Sequence, residues 1–292
     1  MRDDDRGAGA ATRITPDAWL AARAALKDTC DRFTALAGGC DPQAMATAEW
    51  TVMDTAAHVT VIAWLYTARM VSDDTPLPVP GMAEHILATT VENIHAGLNI
   101  QMNRGYSERR PDEVLGKLDS AIDEILRLSA DSDPAATASW LGGSRLPLAG
   151  FVAHLTNELL VHGRDIARGV HAPWRIPQRY AALFFELFLV DIIRNGLGTL
   201  LDDDRPVRQG RIAVEFHSAY TRPVTLVLTD GQVSAEEPSR HTDVRVWFEP
   251  ATLDLVLFHR ITRTRAAMSG SLRVWGRRPW LLAPFLRKVR LP

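Results

Sequence analysis

The stretch HLTNELLVHGRD, from His154 to Asp165, decides how this chain is read. His154, Glu158 and His162 recur at every fourth residue. At 100° per residue they fall within roughly an 80° arc of one helix face. Glu158 and His162 lie about 6 Å apart along such a helix, so their side chains can converge on one ion at about 2.0–2.2 Å. His154 and His162 are about 12 Å apart on the same arithmetic, too far to share that ion. The spacing points to an adjacent-turn pair, Glu158 and His162, completed by a third ligand from elsewhere. An ordinary surface pair is the competing reading. Asp165, three residues beyond His162, stays open between two roles. It either bonds the second nitrogen of a ligand histidine or pairs with Arg164, Arg168 or nearby backbone.

A third ligand is offered by His58, in DTAAHVT. Its small apolar neighbours Ala56, Ala57 and Val59 place that helix face against another helix. A buried imidazole needs a polar partner, and facing helices of a bundle supply metal ligands inward. A satisfied core histidine is the alternative. A His–Glu–His set leaves one coordination position open, as catalytic zinc sites do.

Around these residues the first two thirds of the chain read as helices. Residues 17–37 follow Pro16 and stop at Gly38-Gly39. Residues 51–71 open with Thr51 and Asp54 in capping-box spacing. Residues 82–102 are expected to form one helix after the loop DDTPLPVPG. Residues 111–128 start with Pro111 at the first helical position, 146–168 carry the ligand pair, and 178–201 form a last, mostly buried helix. Trp64, Phe184, Phe185 and Phe188 read as core, and Trp50 as packing that staples the helix cap. Trp140 and Gly142-Gly143 lie in a loop, either at a pocket mouth or in a plain turn. Beyond about residue 205 the pattern changes to short alternating Val-rich runs joined by turns, with the Asp-Gly of TDGQ as a hairpin signal. Helices are expected at 250–259 and 279–288, with SLRVWG as a strand between them.

Composition narrows the function. The 292 residues carry 33 basic and 35 acidic side chains, a net charge of −2, so no overall basic excess points to nucleic acid. The two cysteines, Cys30 and Cys40, exclude a disulfide framework and a thiolate zinc site, and a reducing cytoplasm is the expected compartment. The N-terminal stretch has no apolar core of a secretory signal. The most apolar run, 180–201, is interrupted by Glu186, Asp191 and Arg194, so no membrane span or membrane partner is expected.

Two segments bear a family resemblance. EWTVMDTAAHV (49–59) resembles the W-T-x-x-D-x-x-x-H opening of the mycothiol-dependent maleylpyruvate isomerase family, related to the DinB-like metal-binding bundles. ELLVHGRDIARG (158–169) resembles that family's E-x-x-x-H-x-x-D segment. The resemblance implies a divalent metal, zinc first, held by His58, Glu158 and His162. It also implies mycothiol as thiol cofactor. Residues 205–292 resemble the sterol-carrier-protein-2-like domain often attached to this family. The implied architecture is α plus α+β: residues 1–14 disordered, a DinB-like four-helix bundle over 15–204, and a small α+β domain over 205–292.

Two positions depart from the family pattern. Many members carry arginine four residues before the metal-binding glutamate, where this chain has His154. That histidine is open between touching thiol, substrate carboxylate or Glu158 and simply packing on a helix face. The family's C-terminal domain often presents Gly-Arg after an apolar helix. Here LDLVLFHRITR places Arg260 at that position, with His259 replacing the glycine. Arg260 is either a partner for an anionic substrate or a solvated arginine. His154 and Arg260 are thus the expected catalytic residues. The expected activity is addition of a metal-activated thiolate to a small electrophile, giving cis–trans isomerisation or S-transfer, in a monomer or homodimer. The alternative is a non-catalytic, metal-stabilised module that binds an apolar ligand through its C-terminal domain.

Overall fold

The computed structural model describes residues 14–77 and 79–290. The disorder expected over 1–14 falls, apart from Ile14, outside the described residues. Helix α1 (Pro16–Gly38) opens with Pro16, and the Thr15 hydroxyl accepts from Ala18 N at 3.2 Å. Helix α2 (Val52–Val71) has the expected capping box. Asp54 N donates to Thr51 Oγ1 at 3.1 Å, and Thr51 N donates to Asp54 Oδ2 at 3.0 Å. This satisfies two donors that a helix start leaves without partners.

The segment expected as one helix over 82–102 is broken. Helix α3 (Met82–Leu87) ends, a turn follows, and a π-turn (His95–Asn99) leads into α4 (Ile100–Gly105). Polar side chains make the break by competing for the backbone. Asn93 Oδ1 accepts from Thr90 N, its Nδ2 donates to Ala88 O, and the Thr89 hydroxyl donates to His85 O. Helix α5 (Pro111–Leu128) has its expected bounds.

A short hairpin, β1 (Thr137–Ser139) and β2 (Arg145–Pro147), stands where the sequence suggested only a loop. Its turn requires glycine. Gly142 has φ +63°, and a Cβ there would lie 2.7 Å from Thr89 O and 2.9 Å from Leu200 N. The hairpin feeds α6 (Leu148–Gly169), which carries the ligand pair. Helices α1, α2, α5 and α6 pack as a four-helix bundle, with α1 and α2 each lying against both α5 and α6.

The helix expected over 178–201 is shorter and is not uniform. It runs as α7 (Gln178–Leu183), a π-turn (Phe184–Val190) and α8 (Asp191–Asn195), ending at Gly196 with φ +118°. The wide turn serves two cores. Phe184, Leu187 and Phe188 join the bundle core, while Phe185 and Val190 join a second core against the sheet.

That sheet has strands β3 (Arg211–His217), β4 (Val224–Thr229), β5 (Gln232–Glu236), β6 (Val244–Phe248) and β7 (Leu272–Trp275), in the order β5-β4-β3-β6-β7. Only the β3–β6 pair within it is parallel. The β4–β5 hairpin turns at Asp230-Gly231, both with positive φ, the geometry the Asp-Gly signal predicts. Alternate residues Ile212, Val214 and Phe216 of β3 and Val244, Val246 and Phe248 of β6 face one side. Helices α9 (Pro250–Leu257), α10 (Arg263–Met268) and α11 (Leu282–Lys288) complete this region. A helical N-terminal region followed by a small sheet-containing region gives the mixed α and α+β class expected from sequence. Among the described residues no helix is long and apolar enough to cross a membrane.

Candidate metal centre and its cavity

Three side chains from two helices converge. His58 comes from the second turn of α2, and Glu158 and His162 from successive turns of α6. His58 Nε2 lies 3.9 Å from Glu158 Oε2, and His162 Nε2 lies 3.3 Å from the same oxygen. One donor atom from each residue falls within 4.8 Å of the other two. A tetrahedral ion bound at about 2.1 Å needs donor separations of roughly 3.4 Å. The arrangement fits that need after small side-chain adjustments. All three groups are largely withdrawn from solvent. Trp50 closes one side, its ring 4.8 Å from that of His58 and 6.0 Å from that of His162.

The electrostatics keep the glutamate anionic. Burial alone would raise the Glu158 carboxyl. The hydrogen bond with His162 and the charges of His154, His162 and His58 outweigh burial and hold it at about 2. Burial likewise opposes the charged form of His162, but Asp165 and Glu158, one at each ring nitrogen, raise it to about 9. This is a proton-loaded cation site: three nitrogen and oxygen donors that now share protons and charge.

Asp165 and Arg260 complete the shell. Asp165 Oδ2 lies 3.4 Å from His162 Nδ1, the nitrogen turned away from Glu158. Arg260 grips the same carboxylate through Nε at 3.0 and 3.2 Å and through Nη2 at 2.5 Å, and Nη1 donates to Phe258 O at 2.7 Å. Asp165 thus faces the outer nitrogen of His162 without closing a well-aligned hydrogen bond, and its arginine partner is Arg260, neither Arg164 nor Arg168. Arg260 is therefore engaged by a carboxylate and is not a freely solvated side chain. His259, where the family pattern has glycine, adopts φ +58°. The chain thus keeps the left-handed turn without glycine.

The three donors line a cavity of about 870 Å³. The cavity is also lined by apolar side chains from α2, α4, α6 and the π-turn, and by Phe258, His259 and Arg260 from the C-terminal region. His154 lies in its wall. Its Nδ1 is 3.0 Å from Tyr66 Oη, and its Nε2 is 3.5 Å from Glu158 Oε1. Trp140 Nε1 donates to the same tyrosine oxygen at 2.8 Å. His154 is therefore beside the centre but outside its donor set. Cys30 and Cys40 do not line the cavity.

A family model for the mycothiol maleylpyruvate isomerase N-terminal domain matches residues 19–167, half of the chain. The chain belongs to that family. A solved structure of the mycothiol-dependent maleylpyruvate isomerase aligns with it at 11% identity and a TM-score of 0.47, covering 81% of this chain and 87% of the other. A point mutant of that isomerase aligns at 12% identity with the same TM-score and coverage. A search of curated proteins finds no match.

The span of the isomerase-domain family model contains His58, Glu158, His162 and Asp165, whereas Arg260 lies outside it. Sequence reading missed Tyr66 altogether. It assigned Trp50 to the cap and Phe184 and Phe188 to plain core. Trp50 lies over the imidazoles instead, and the two phenylalanines, stacked at 4.9 Å, face the cavity. Trp140 lines the cavity and is more than a turn residue. The only available signal for these residues was an aromatic set on elements leading into or facing the ligand helix.

Proposed function

We propose that this protein is a metal-dependent thiol enzyme. In this reading His58, Glu158 and His162 hold a divalent ion, zinc first, and mycothiol supplies the sulfur. The carrying observation is the convergence of these three donors on the wall of a large cavity in a chain of this family. An ion bound there would lower the pKa of a thiol placed at its open position, giving a thiolate at neutral pH. Neither cysteine of the chain lines the cavity, so the nucleophilic sulfur must arrive on a small molecule.

The chain's own residues do the positioning. Asp165 fixes the orientation of His162, and Arg260 fixes Asp165, an outer shell that sets ligand basicity. Trp50 and the aromatic wall limit water near the donors, which strengthens electrostatic interactions there. Arg260 acts in this scheme through Asp165 and does not contact substrate, and His154 supports the glutamate. The thiolate adds to an electrophilic carbon. If a cis double bond is attacked, rotation and elimination of the sulfur give the trans isomer. If the sulfur stays, the carbanion left by addition takes up a proton, or in a displacement the leaving group departs with its electron pair, and the reaction is S-transfer. Both outcomes use the same residues.

Metal analysis of the purified wild type and of His58→Ala tests the reading. Near-stoichiometric divalent metal in the wild type, lost in the variant, supports it. Mycothiol-dependent turnover of maleylpyruvate or of thiol-reactive electrophiles then separates isomerase from transferase. A wild type that stays empty after metal supplementation rules the thiolate scheme out.

A further inference from the structure

The cavity is far larger than the metal centre requires. Its volume of about 870 Å³ equals the share of roughly thirty liquid waters and lies in the upper part of the range for sites that enclose drug-sized ligands. Ile62, Leu65, Leu98, Met102, Phe184 and Phe188 supply much of its apolar wall.

His154 stands in the cavity wall with both ring nitrogens facing other protein groups. Trp140 Nε1–H can only donate, so at 2.8 Å the Tyr66 oxygen is the acceptor. The same phenol oxygen meets His154 Nδ1 at 3.0 Å, and His154 Nε2 lies 3.5 Å from Glu158 Oε1. The ring centroid lies 4.6 Å from that of Phe188 and 5.3 Å from that of Trp140. Where an arginine would offer a fork of donors, this ring is packed between aromatic side chains and has no such fork to offer a ligand.

Among the described residues, only Arg260 of the cavity's arginines is held by a carboxylate, that of Asp165. Arg69 donates through Nη1 to the backbone oxygen of Asp73 in an exposed contact at 2.6 Å and keeps its charge, and Arg168 is exposed. A carboxylate driven past these two arginines into the apolar part would lose its water without gaining a cation, which is strongly unfavourable.

We propose that the electrophile taken by this site is apolar and uncharged over the half that enters the cavity, an aromatic or alkyl compound and not a small dicarboxylate. Any anionic group it carries stays with Arg69 or Arg168. The proposal rests on the thiol-enzyme reading only for naming the ligand an electrophile; the recognition itself needs neither metal nor thiol.

The test uses metal-free, full-length protein without thiol. Calorimetric titration with the linear alcohols from 1-butanol to 1-decanol is compared with titration by the maleate dianion. Affinity for the alcohols is expected to tighten about fourfold per added methylene until the cavity is filled. Maleate is expected to bind more weakly than 1-hexanol. Met102→Glu, on the cavity wall, should abolish the chain-length dependence. Should that variant fail to fold, histidine-ring NMR shifts of wild-type His154 on adding 1-octanol serve instead. Affinity independent of chain length, maleate binding tighter than 1-hexanol, or an unmoved His154 signal would each overturn the proposal. A protein that takes up no metal yet shows the alcohol series would sink the thiolate scheme and leave this inference standing. Metal uptake with a flat series would do the reverse.

Discussion

Arg260 closes on Asp165 across 95 residues of chain, with Nε and Nη2 both on the carboxylate. The contact joins the sheet-containing region to the ligand helix, on the side of His162 opposite Glu158. A paired, two-donor arginine is a strong partner for a carboxylate. It leaves Asp165 ionised: burial would raise this carboxyl, but the neighbouring His162 and the bonds from Arg260 lower it.

Replacing Asp165 by Asn should therefore weaken metal binding while keeping all three donors. The expected loss is about 10–100-fold in affinity, the usual effect of removing an outer partner of a ligand histidine. Arg260→Gln should lower affinity less, because it acts one bond further out. Chelator-competition titrations measure both, and circular dichroism checks that the fold persists. Unchanged affinity in Asp165→Asn would remove Asp165 from the site.

A second acid gives a pH prediction away from the centre. Asp191, at the start of α8, is buried, and burial raises its carboxyl to about 6 despite Arg194 at 3.3 Å. Its folded pKa lies above the unfolded value near 3.9, so the native state binds the proton more tightly. Ionised Asp191 thus opposes folding above pH 6, and this penalty disappears as pH falls below about 4. Asp191→Asn should stabilise the protein at pH 7.5 by about 1–3 kcal/mol. The gain should vanish toward pH 4, as read by urea unfolding at both pH values. Destabilisation at pH 7.5 would show that the Arg194 pair outweighs burial.

How far the sequence revealed these features depended on range. Regular periodicity and local signals placed α1, α2, α5 and α6, because Pro16, Thr51 with Asp54, and Pro111 act within one turn. The four-residue spacing showed that Glu158 and His162 share a face. The approach of His58 depends on helix packing and became an expectation only through spacing and resemblance together. The break after Leu87 depends on which backbone groups Thr89 and Asn93 capture. The π-turn at Phe184–Val190 lies in an apolar run that has no register of its own. The Trp140–Tyr66–His154 chain joins residues 74 and 88 positions apart, a distance no periodic pattern reports.

His259 supplies a third prediction. Its φ of +58° is a left-handed conformation that costs an L-residue roughly 1–2 kcal/mol, while glycine adopts it freely. Glycine also gains more unfolded-state freedom, which offsets part of the relief. His259→Gly should therefore raise stability by about 0.5–1 kcal/mol, measured by thermal unfolding of metal-free protein. It should leave the Arg260–Asp165 contact in place, so metal affinity should stay within about twofold. A loss of stability would mean that the imidazole makes contacts worth more than the strain.

Gly163 follows His162 directly, and its substitution tests how tightly the ligand helix is seated. In a helix interior, alanine normally improves on glycine by about 1 kcal/mol. Here a Cβ would lie 2.3 Å from Trp174 Cζ2 and 2.6 Å from Cε2, well inside contact distance. The indole cannot easily yield. Its Nε1 donates to Leu160 O at 2.9 Å, and Arg32 lies over its ring at 4.5 Å. Overpacking should reverse the normal sign, and Gly163→Ala should destabilise by about 1–3 kcal/mol. Because the push falls on the turn bearing His162, metal affinity should drop with stability. Trp174→Leu in the Gly163→Ala background should recover part of both by making room. Paired unfolding and metal-binding measurements on the single and double variants decide the point. A Gly163→Ala protein more stable than wild type would show that Trp174 moves aside without cost.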